Sequence, residues 1–259
     1  MVDLSFSIAD LEYFLLIFVR VTSFIYIAPF FSMSNTPNRV KVGLGLLIAY
    51  FIDRNIPHVV VEYETLFGFA AIVIKEAACG FLIGLGANLC TTIVSFSGHI
   101  TDMETGLSMA SLFDPLTKEQ TSISGIYYNY IIMLMLLVSG MHQFILGALI
   151  ETFTIIPINT AEFRMNEIAD TMLQFLRNYI IIGFRIALPV FIVTILVNAI
   201  LGILAKVSPQ MNMFAVGIQI KILIGIGVLL VTAGMLPLAA DMIFGEMKRM
   251  VTAFAYVLG

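Results

Sequence analysis

The amino-acid sequence predicts an all-α membrane protein from its composition, its long apolar runs and its lack of strand periodicity. Of the 259 residues, 60% are hydrophobic and 12% are charged, and the mean hydropathy is +1.02. A soluble domain usually has about 25% charged residues, so this chain cannot cover its apolar surface in water by itself. The runs are too long for strands and do not alternate with polar residues. We therefore expect an all-α fold of long apolar helices.

The expected helices follow one another along the chain as six apolar runs separated by polar segments. Their approximate ranges are 11–31, 42–52, 66–98, 126–158, 177–206 and 211–244. Only the second is short for a hydrocarbon layer of about 30 Å. A long interruption lies between the third and fourth runs, and a short tail follows the last. Small residues are scattered through the runs, as in GFLIGLGANL, and allow close helix packing.

The basic residues do not follow the pattern of a simple membrane bundle. Placing six spans with the amino terminus outside leaves nearly equal numbers of Lys and Arg on the two sides, so there is no positive-inside bias. Four basic residues also lie within the apolar runs, namely Arg20, Lys75, Arg185 and Lys221. Each would cost about 2.5–3.5 kcal/mol at the centre of a bilayer. Either protein shields these helices or they do not all lie in the bilayer, and both alternatives predict an obligate assembly.

We expect four of the charged residues in these runs to be buried and to serve assembly: Arg20, Lys75, Glu76 and Arg185. Lys75 and Glu76 are adjacent, and neighbouring helical residues point about 100° apart, so they do not face each other well. Each should therefore have a partner on another helix or subunit. A role in proton transfer is the alternative interpretation.

The sequence excludes several classes of function. A net charge of −4 without a basic patch argues against nucleic-acid binding. The chain has no HExxH, CxxC, GxSxG or nucleotide-binding P-loop pattern, so we expect no enzyme, no cofactor and no metal site. Cys79 and Cys90 lie about 16 Å apart along a helix, which is too far for a disulfide bond.

The segment GLSMASLFDPLTKEQTSISG, residues 106–125, is half apolar and half polar and lies between two long helices. Four apolar residues have the i, i+3, i+4, i+7 spacing of one helical face, which Pro115 interrupts. Such a segment is tolerated at membrane depth only inside protein or a water-filled lumen, and an ordinary surface loop is the alternative. Its candidate residues are Gly106, Met109, Leu112, Phe113, Asp114, Pro115 and Leu116.

A predicted hairpin turn, SPQMN, separates the fifth and sixth runs at residues 208–212. The proline stops one helix, and the asparagine can cap the next. The residues of interest here are Lys206, Ser208, Pro209, Gln210, Asn212 and Lys221.

Four motifs in order carry a resemblance that covers nearly the whole chain. They are PNRVKVGLGLLIAY, MASLFDP, SGMHQFILGALIETFTIIPI and LAKVSPQMNMFAVGIQIKILIG. The chain resembles the FliR family of flagellar biosynthetic proteins, the equivalent of the T component of the type III secretion export apparatus. The resemblance implies a FliP-like part over residues 1–175 and a FliQ-like hairpin with a carboxy-terminal tail over 176–259.

The same resemblance implies partners, location and function. The chain would join FliP and FliQ homologues within the flagellar basal body in the bacterial inner membrane. An FlhB-type subunit would lie at the cytoplasmic entrance near Lys206 and Lys221, and the alternative is that these two lysines only solvate the end of the hairpin. Residues 106–125 would form a plug that closes the lumen until unfolded flagellar proteins pass. The chain would then be a structural and gating subunit of the flagellar export channel.

Two alternatives remain open from the sequence. The chain could be the equivalent subunit of a virulence injectisome. It could also be a secondary transporter that uses Lys75, Glu76 or Glu151 in ion coupling, although the sequence lacks the convincing internal repeat typical of many transporters.

Overall fold

A computed structural model gives the fold of the chain. It describes residues 8–33, 36–57, 61, 63, 65–108, 122–208 and 213–259, with the backbone alone for 213–215. No strand occurs within these ranges, so the all-α prediction is confirmed. The helices are α1 (Ile8–Ile27), α2 (Asn38–Asn55), α3 (Leu66–Thr105), α4 (Ile123–Val138), α5 (Met141–Ile155), α6 (Met165–Val207), α7 (Met213–Thr232) and α8 (Leu236–Leu258), and a 3-10 turn (Ala233–Met235) joins the last two.

The fourth apolar run is two helices rather than one. Helices α4 and α5 meet at an angle of 66°. Gly140 has a φ of +73° at this break, a conformation that glycine adopts without steric cost. The break therefore lies at the Ser139–Gly140 pair, where the glycine takes this left-handed conformation.

The tail that follows residue 244 is helical and packs as part of α8. Its buried side chains recur at the three- and four-residue spacing of a helical face: Met247, Met250, Val251, Phe254 and Leu258. Mean hydropathy marks the end of the apolar run at 244, but this periodicity continues to the end of the helix.

Three helical stretches in the described ranges are long and apolar enough to cross a membrane. They are Leu66–Thr105, Met165–Val207 and Val216–Leu258, and the bent pair α4–α5 would make a fourth if it counts as one span. In the most apolar part of the three stretches, only 28%, 28% and 17% of the residues are buried inside the chain. Most of this apolar surface therefore requires lipid or another protein to cover it.

The chain divides into two compact units. Unit 1 contains Met1–Leu89, Gly140–Phe175 and Glu246–Gly259, and unit 2 contains Cys90–Ser139 and Leu176–Gly245. The predicted division between 1–175 and 176–259 rests on the family resemblance and stays a prediction.

In unit 1, helix α1 packs closely against α3. A Cβ on Gly80 would overlap the carbonyl oxygen of Arg20, and one on Gly84 would lie 3.0 Å from the carbonyl oxygen of Phe24. These two glycines are four residues apart on one face of α3, so they form a small-residue crossing. This crossing fixes how the side chains of α1 meet those of α3.

In unit 2, small residues serve the same purpose at two places. A Cβ on Gly98 of α3 would overlap the backbone of Gly125 in α4. The ring of Phe96 occupies the space that a side chain at Gly183 of α6 would need, and its centroid lies 4.9 Å from that of Tyr179. Both contacts hold the carboxy-terminal part of α3 against its neighbours.

Candidate functional site in the charged groups of the two units

A buried ion pair joins α1 and α3 in unit 1. Arg20 Nε donates to Glu76 Oε2 at 2.5 Å, and both side chains have no solvent-exposed surface. Adjacent Gly80 permits the close approach of the two helices that brings these long side chains together. A buried pair of this kind is stable only when the remaining polar atoms are also well satisfied.

Backbone groups near the end of α5 satisfy much of that need. Arg20 Nη1 donates to the carbonyl oxygen of Ile156 at 2.8 Å, and the backbone N–H of Asn159 donates to Glu76 Oε1 at 3.0 Å. The guanidinium also lies 4.4 Å from the centroid of the Phe153 ring. One ion pair therefore holds α1, α3 and the turn that follows α5.

The location of the guanidinium is electrostatically favourable. The last carbonyls of a helix carry partial negative charge and lack helical donors, and a cation can satisfy both needs. Arg20 supplies that cation at the end of α5, while Glu76 balances its charge. Helix α8 contacts the same turn, since Leu258 O accepts a hydrogen bond from Glu162 N at 3.0 Å.

In unit 2, a second buried carboxylate holds the beginning of α4. Asp102 of α3 is 3% exposed and accepts from the backbone N–H of Ser124 at 3.2 Å. The hydroxyl of Ser122 caps the same helix by accepting from Gly125 N at 2.9 Å. The carboxy-terminal end of α3 and the start of α4 are therefore joined directly.

The third charged feature is Arg185, in the middle of α6. Its side chain is exposed, and Nη1 lies 3.9 Å from the sulfur of Met242. It lines a largely apolar cavity of about 470 Å³ in unit 2. Within the described ranges, no carboxylate pairs with this guanidinium.

The predicted assembly charges thus fall into two groups. Arg20 and Glu76 are buried and pair with each other, so Glu76 has its partner on another helix of the same chain and neither needs one on another subunit. Lys75 and Arg185 are exposed in the single chain, so their burial in an assembly stays a prediction. Because both oxygens of Glu76 accept hydrogen bonds, this carboxylate is occupied by structural contacts rather than open for ion coupling.

The predicted plug and turn are only partly described. Gly106 has a φ of +82°, in keeping with a turn at the start of the segment. Met109, Leu112, Phe113, Asp114, Pro115 and Leu116 lie outside the described residues. So do Pro209, Gln210 and Asn212, although α6 ends at Val207 and α7 begins at Met213, on either side of them. Lys206 is exposed, and Ser208 and Lys221 are partly exposed.

Sequence reasoning missed the roles of Asp102 and of the turn at 156–159. Asp102 lies four residues before Gly106 at the end of an apolar run, and a serine follows the polar segment at position 122. An acidic residue before the loop and a helix-capping serine after it could have indicated that the end of α3 and the start of α4 are held together. The contact between Asp102 and Ser124 is the joined base of the segment 106–125. Nothing in the sequence indicates that backbone groups near Asn159 contact Glu76.

Comparison with known proteins agrees with the fold and with the motifs. The family model described as bacterial export proteins, family 1, matches residues 11–247. The chain belongs to this family. Its relatives include the flagellar biosynthetic protein FliR of Bacillus subtilis (strain 168), which is 30% identical over 232 residues that cover 87% of this chain and 88% of that protein.

Two further relatives have the same name. The flagellar biosynthetic protein FliR of Buchnera aphidicola subsp. Schizaphis graminum (strain Sg) is 30% identical over 211 residues, which cover 82% of this chain and 81% of that protein. The corresponding protein of Escherichia coli (strain K12) is 26% identical over 225 residues, which cover 86% and 83% of the two chains. The resemblance to the FliR family is therefore confirmed.

Proposed function

We propose that this chain is a structural and gating subunit of the flagellar protein export channel in the bacterial inner membrane. Family membership supports a component of the export apparatus. The observation that carries the assembly role is the exposed apolar surface, since the three long stretches bury only 28%, 28% and 17% of their most apolar residues inside the chain. Exposed Lys75 and Arg185 on these stretches require partners that lipid chains cannot supply.

The proposed partners are FliP and FliQ homologues. The relatives are flagellar biosynthetic proteins, which supports flagellar rather than injectisome cargo. In unit 2, α6 and α7 pack against each other, with Gly217 close to Leu201, and this supports the hairpin that the resemblance implies. Lys206 and Lys221 near its end would meet an FlhB-type subunit at the cytoplasmic entrance.

The proposed gate is the segment 106–125, which would restrict the lumen until unfolded flagellar proteins pass. The joined base supports this proposal. The backbone N–H of Ser124 donates to the carboxylate of Asp102, and this bond holds the end of α3 next to the start of α4. A Cβ on Gly225 would lie 2.5 Å from Thr105 Cγ2, so α7 also packs closely against the end of α3.

Co-expression with the FliP and FliQ homologues tests this function. After mild detergent extraction, native mass spectrometry should find the chain in a discrete hetero-oligomer with both partners. A stable monomer or homo-oligomer that ignores both partners would contradict the proposal and favour a free-standing transporter.

Replacing residues 109–121 with a short Gly-Ser linker tests the gate. Because the joined base at Asp102 and Ser124 is retained, we expect the hetero-oligomer to form in normal yield, while small solutes leak across the membrane. The leak should be measured as dye or ion entry into cells that express the complex. A matched linker replacing residues 208–212 is the control for loop shortening, and an assembled plug variant as tight as the wild type would disprove the gate.

A further inference from the structure

We propose that the Arg185 cavity is the docking site for an apolar helix of another subunit that carries a carboxylate. The inference rests on the proposed function, because it requires that the chain assembles with other membrane proteins. It adds the place of one contact, the residue that recognises the partner and the chemistry of that partner.

The cavity is formed where two helices of unit 2 are irregular. Pro189 lies within α6, and on the other side α7 gives way to the 3-10 turn at Ala233–Met235. Its volume is about 470 Å³, enough for two or three large side chains. Its lining residues include Tyr128, Ile186, Leu188, Leu236, Ala239 and Met242.

Arg185 supplies the charge that selects the partner. Its guanidinium is exposed, and Nη1 lies 3.9 Å from the sulfur of Met242, which is a weak acceptor. Arg177 and Lys206, the neighbouring basic residues of α6, are about 12 and 32 Å away along the helix, so Arg185 is the recognition cation at this level. A carboxylate is the complementary group, because it can accept two parallel hydrogen bonds from a guanidinium.

The acidic residue closest in sequence to the cavity does not serve this purpose. Asp241 precedes Met242 in α8 but lines a different surface cavity, together with Leu134, Val138 and Phe244. Adjacent residues of a helix point about 100° apart, which explains why Met242 faces Arg185 while Asp241 does not. No carboxylate of the described residues of unit 2 pairs with Arg185, and we assign this role to a carboxylate of the partner.

Backbone chemistry favours a protein occupant over a lipid. Pro189 has no N–H, so the carbonyl of Arg185 lacks its usual helical donor. Irregular backbone at membrane depth is tolerated where protein or a water-filled cavity covers it, and acyl chains donate no hydrogen bonds. A partner helix can fill the apolar part of the cavity with side chains, present a carboxylate to the guanidinium and offer a hydroxyl or amide side chain that donates to this carbonyl.

Charge variants of the co-expressed complex test the contact. Arg185→Leu should lower the yield of the hetero-oligomer by about tenfold or more, because the partner carboxylate is left unpaired in an apolar contact. Arg185→Lys should give an intermediate yield, since it keeps the charge but loses the two-pronged geometry. Arg177→Leu is the matched control on the same helix and should change the yield less than twofold.

A photoreactive residue at Leu188, which is 47% exposed and lines the cavity, identifies the occupant in the otherwise unaltered complex. The expected cross-link joins a partner helix that contains Asp or Glu. Changing that residue to Lys in the Arg185→Glu background should restore the yield. The cross-link from Leu188 also identifies the occupant of the cavity if the Arg185 variants fail to accumulate, because it uses a complex with unaltered Arg185.

Three results would overturn the proposal while the proposed function stands: a wild-type yield for Arg185→Leu, a cross-link to a partner segment without an acidic residue, or a cross-link to phospholipid alone. The last result would assign the cavity to an anionic lipid. If the wild-type chain itself forms no hetero-oligomer, the proposed function fails and the docking site fails with it.

Discussion

The two units treat their charges differently. In unit 1, Arg20 and Glu76 are fully buried and neutralise each other, and backbone groups near the end of α5 hydrogen-bond to both side chains. In unit 2, Arg185 is exposed beside an apolar cavity, and within the described ranges it meets only the sulfur of Met242. The Arg20 charge thus has its counter-charge within the chain, whereas no carboxylate of the described residues pairs with Arg185.

This difference separates two reasons for having charged residues in an apolar helix. A buried pair that is satisfied internally fixes which helices meet, and it does so before any partner arrives. An unpaired group costs free energy until a partner supplies the opposite charge, so it makes stability depend on assembly. Variants of unit 1 should therefore damage the chain itself, while Arg185 variants should damage only the complex.

The largest expected effect is on the buried ion pair of Arg20 and Glu76 in unit 1. Glu76→Leu leaves the Arg20 guanidinium buried without its counter-charge, which should destabilise the chain by about 3–5 kcal/mol. We expect the variant to accumulate poorly in membranes and to lose its cooperative thermal transition in mild detergent. Glu151→Leu, an exposed glutamate of α5 in the same unit, is the control and should behave like the wild type.

The double variant Arg20→Met/Glu76→Leu sharpens this prediction. Because it removes both charges together, it should recover a substantial part of the stability that Glu76→Leu loses. Equal stability of Glu76→Leu and wild type would show that the pair does not hold unit 1 together.

An intermediate effect is expected at the α1–α3 crossing. Gly80→Ala places a methyl group against the backbone of Arg20 and should cost about 1–3 kcal/mol, because the two helices must separate. Gly43→Ala is the control, since nothing lies within 4 Å of its Cβ and alanine favours the helix. Thermal unfolding in detergent should show a lower midpoint for Gly80→Ala and an unchanged or higher midpoint for Gly43→Ala. A Gly80→Ala midpoint at or above that of the wild type would contradict the close crossing.

The sequence predicts the helices of this chain well because each depends on local composition. Long apolar runs without alternation allow only helices, and the structure has helices at all six. The sequence predicts less well where the helices bend and end. The bend at Gly140 and the helical tail were signalled by a Ser-Gly step and by a periodic row of apolar residues, but mean hydropathy does not detect either signal.

The pairing of Arg20 with Glu76 could not be read from the sequence. The two residues are 56 positions apart, and their contact depends on the crossing of α1 and α3 at Gly80. A residue pattern shows that a charge in an apolar helix needs a partner, but only the packing of helices shows which partner it has. For the same reason, Lys75 and Glu76 look equivalent in the sequence, whereas one is exposed and the other is buried.

The smallest effect should come from the base of the predicted plug in unit 2. Asp102→Asn keeps an acceptor for Ser124 N but removes the negative charge at the start of α4, which should cost about 1 kcal/mol. Asp170→Asn, an exposed aspartate of α6, should cost nothing measurable.

If the Asp102 carboxylate only stabilises the fold, the Asp102→Asn variant should lower the thermal midpoint of the complex without a leak. If it also holds the base of the predicted plug in place, the complex should form in normal yield but should let small solutes leak across the membrane. An unchanged midpoint together with a tight membrane would mean that the charge of Asp102 contributes to neither.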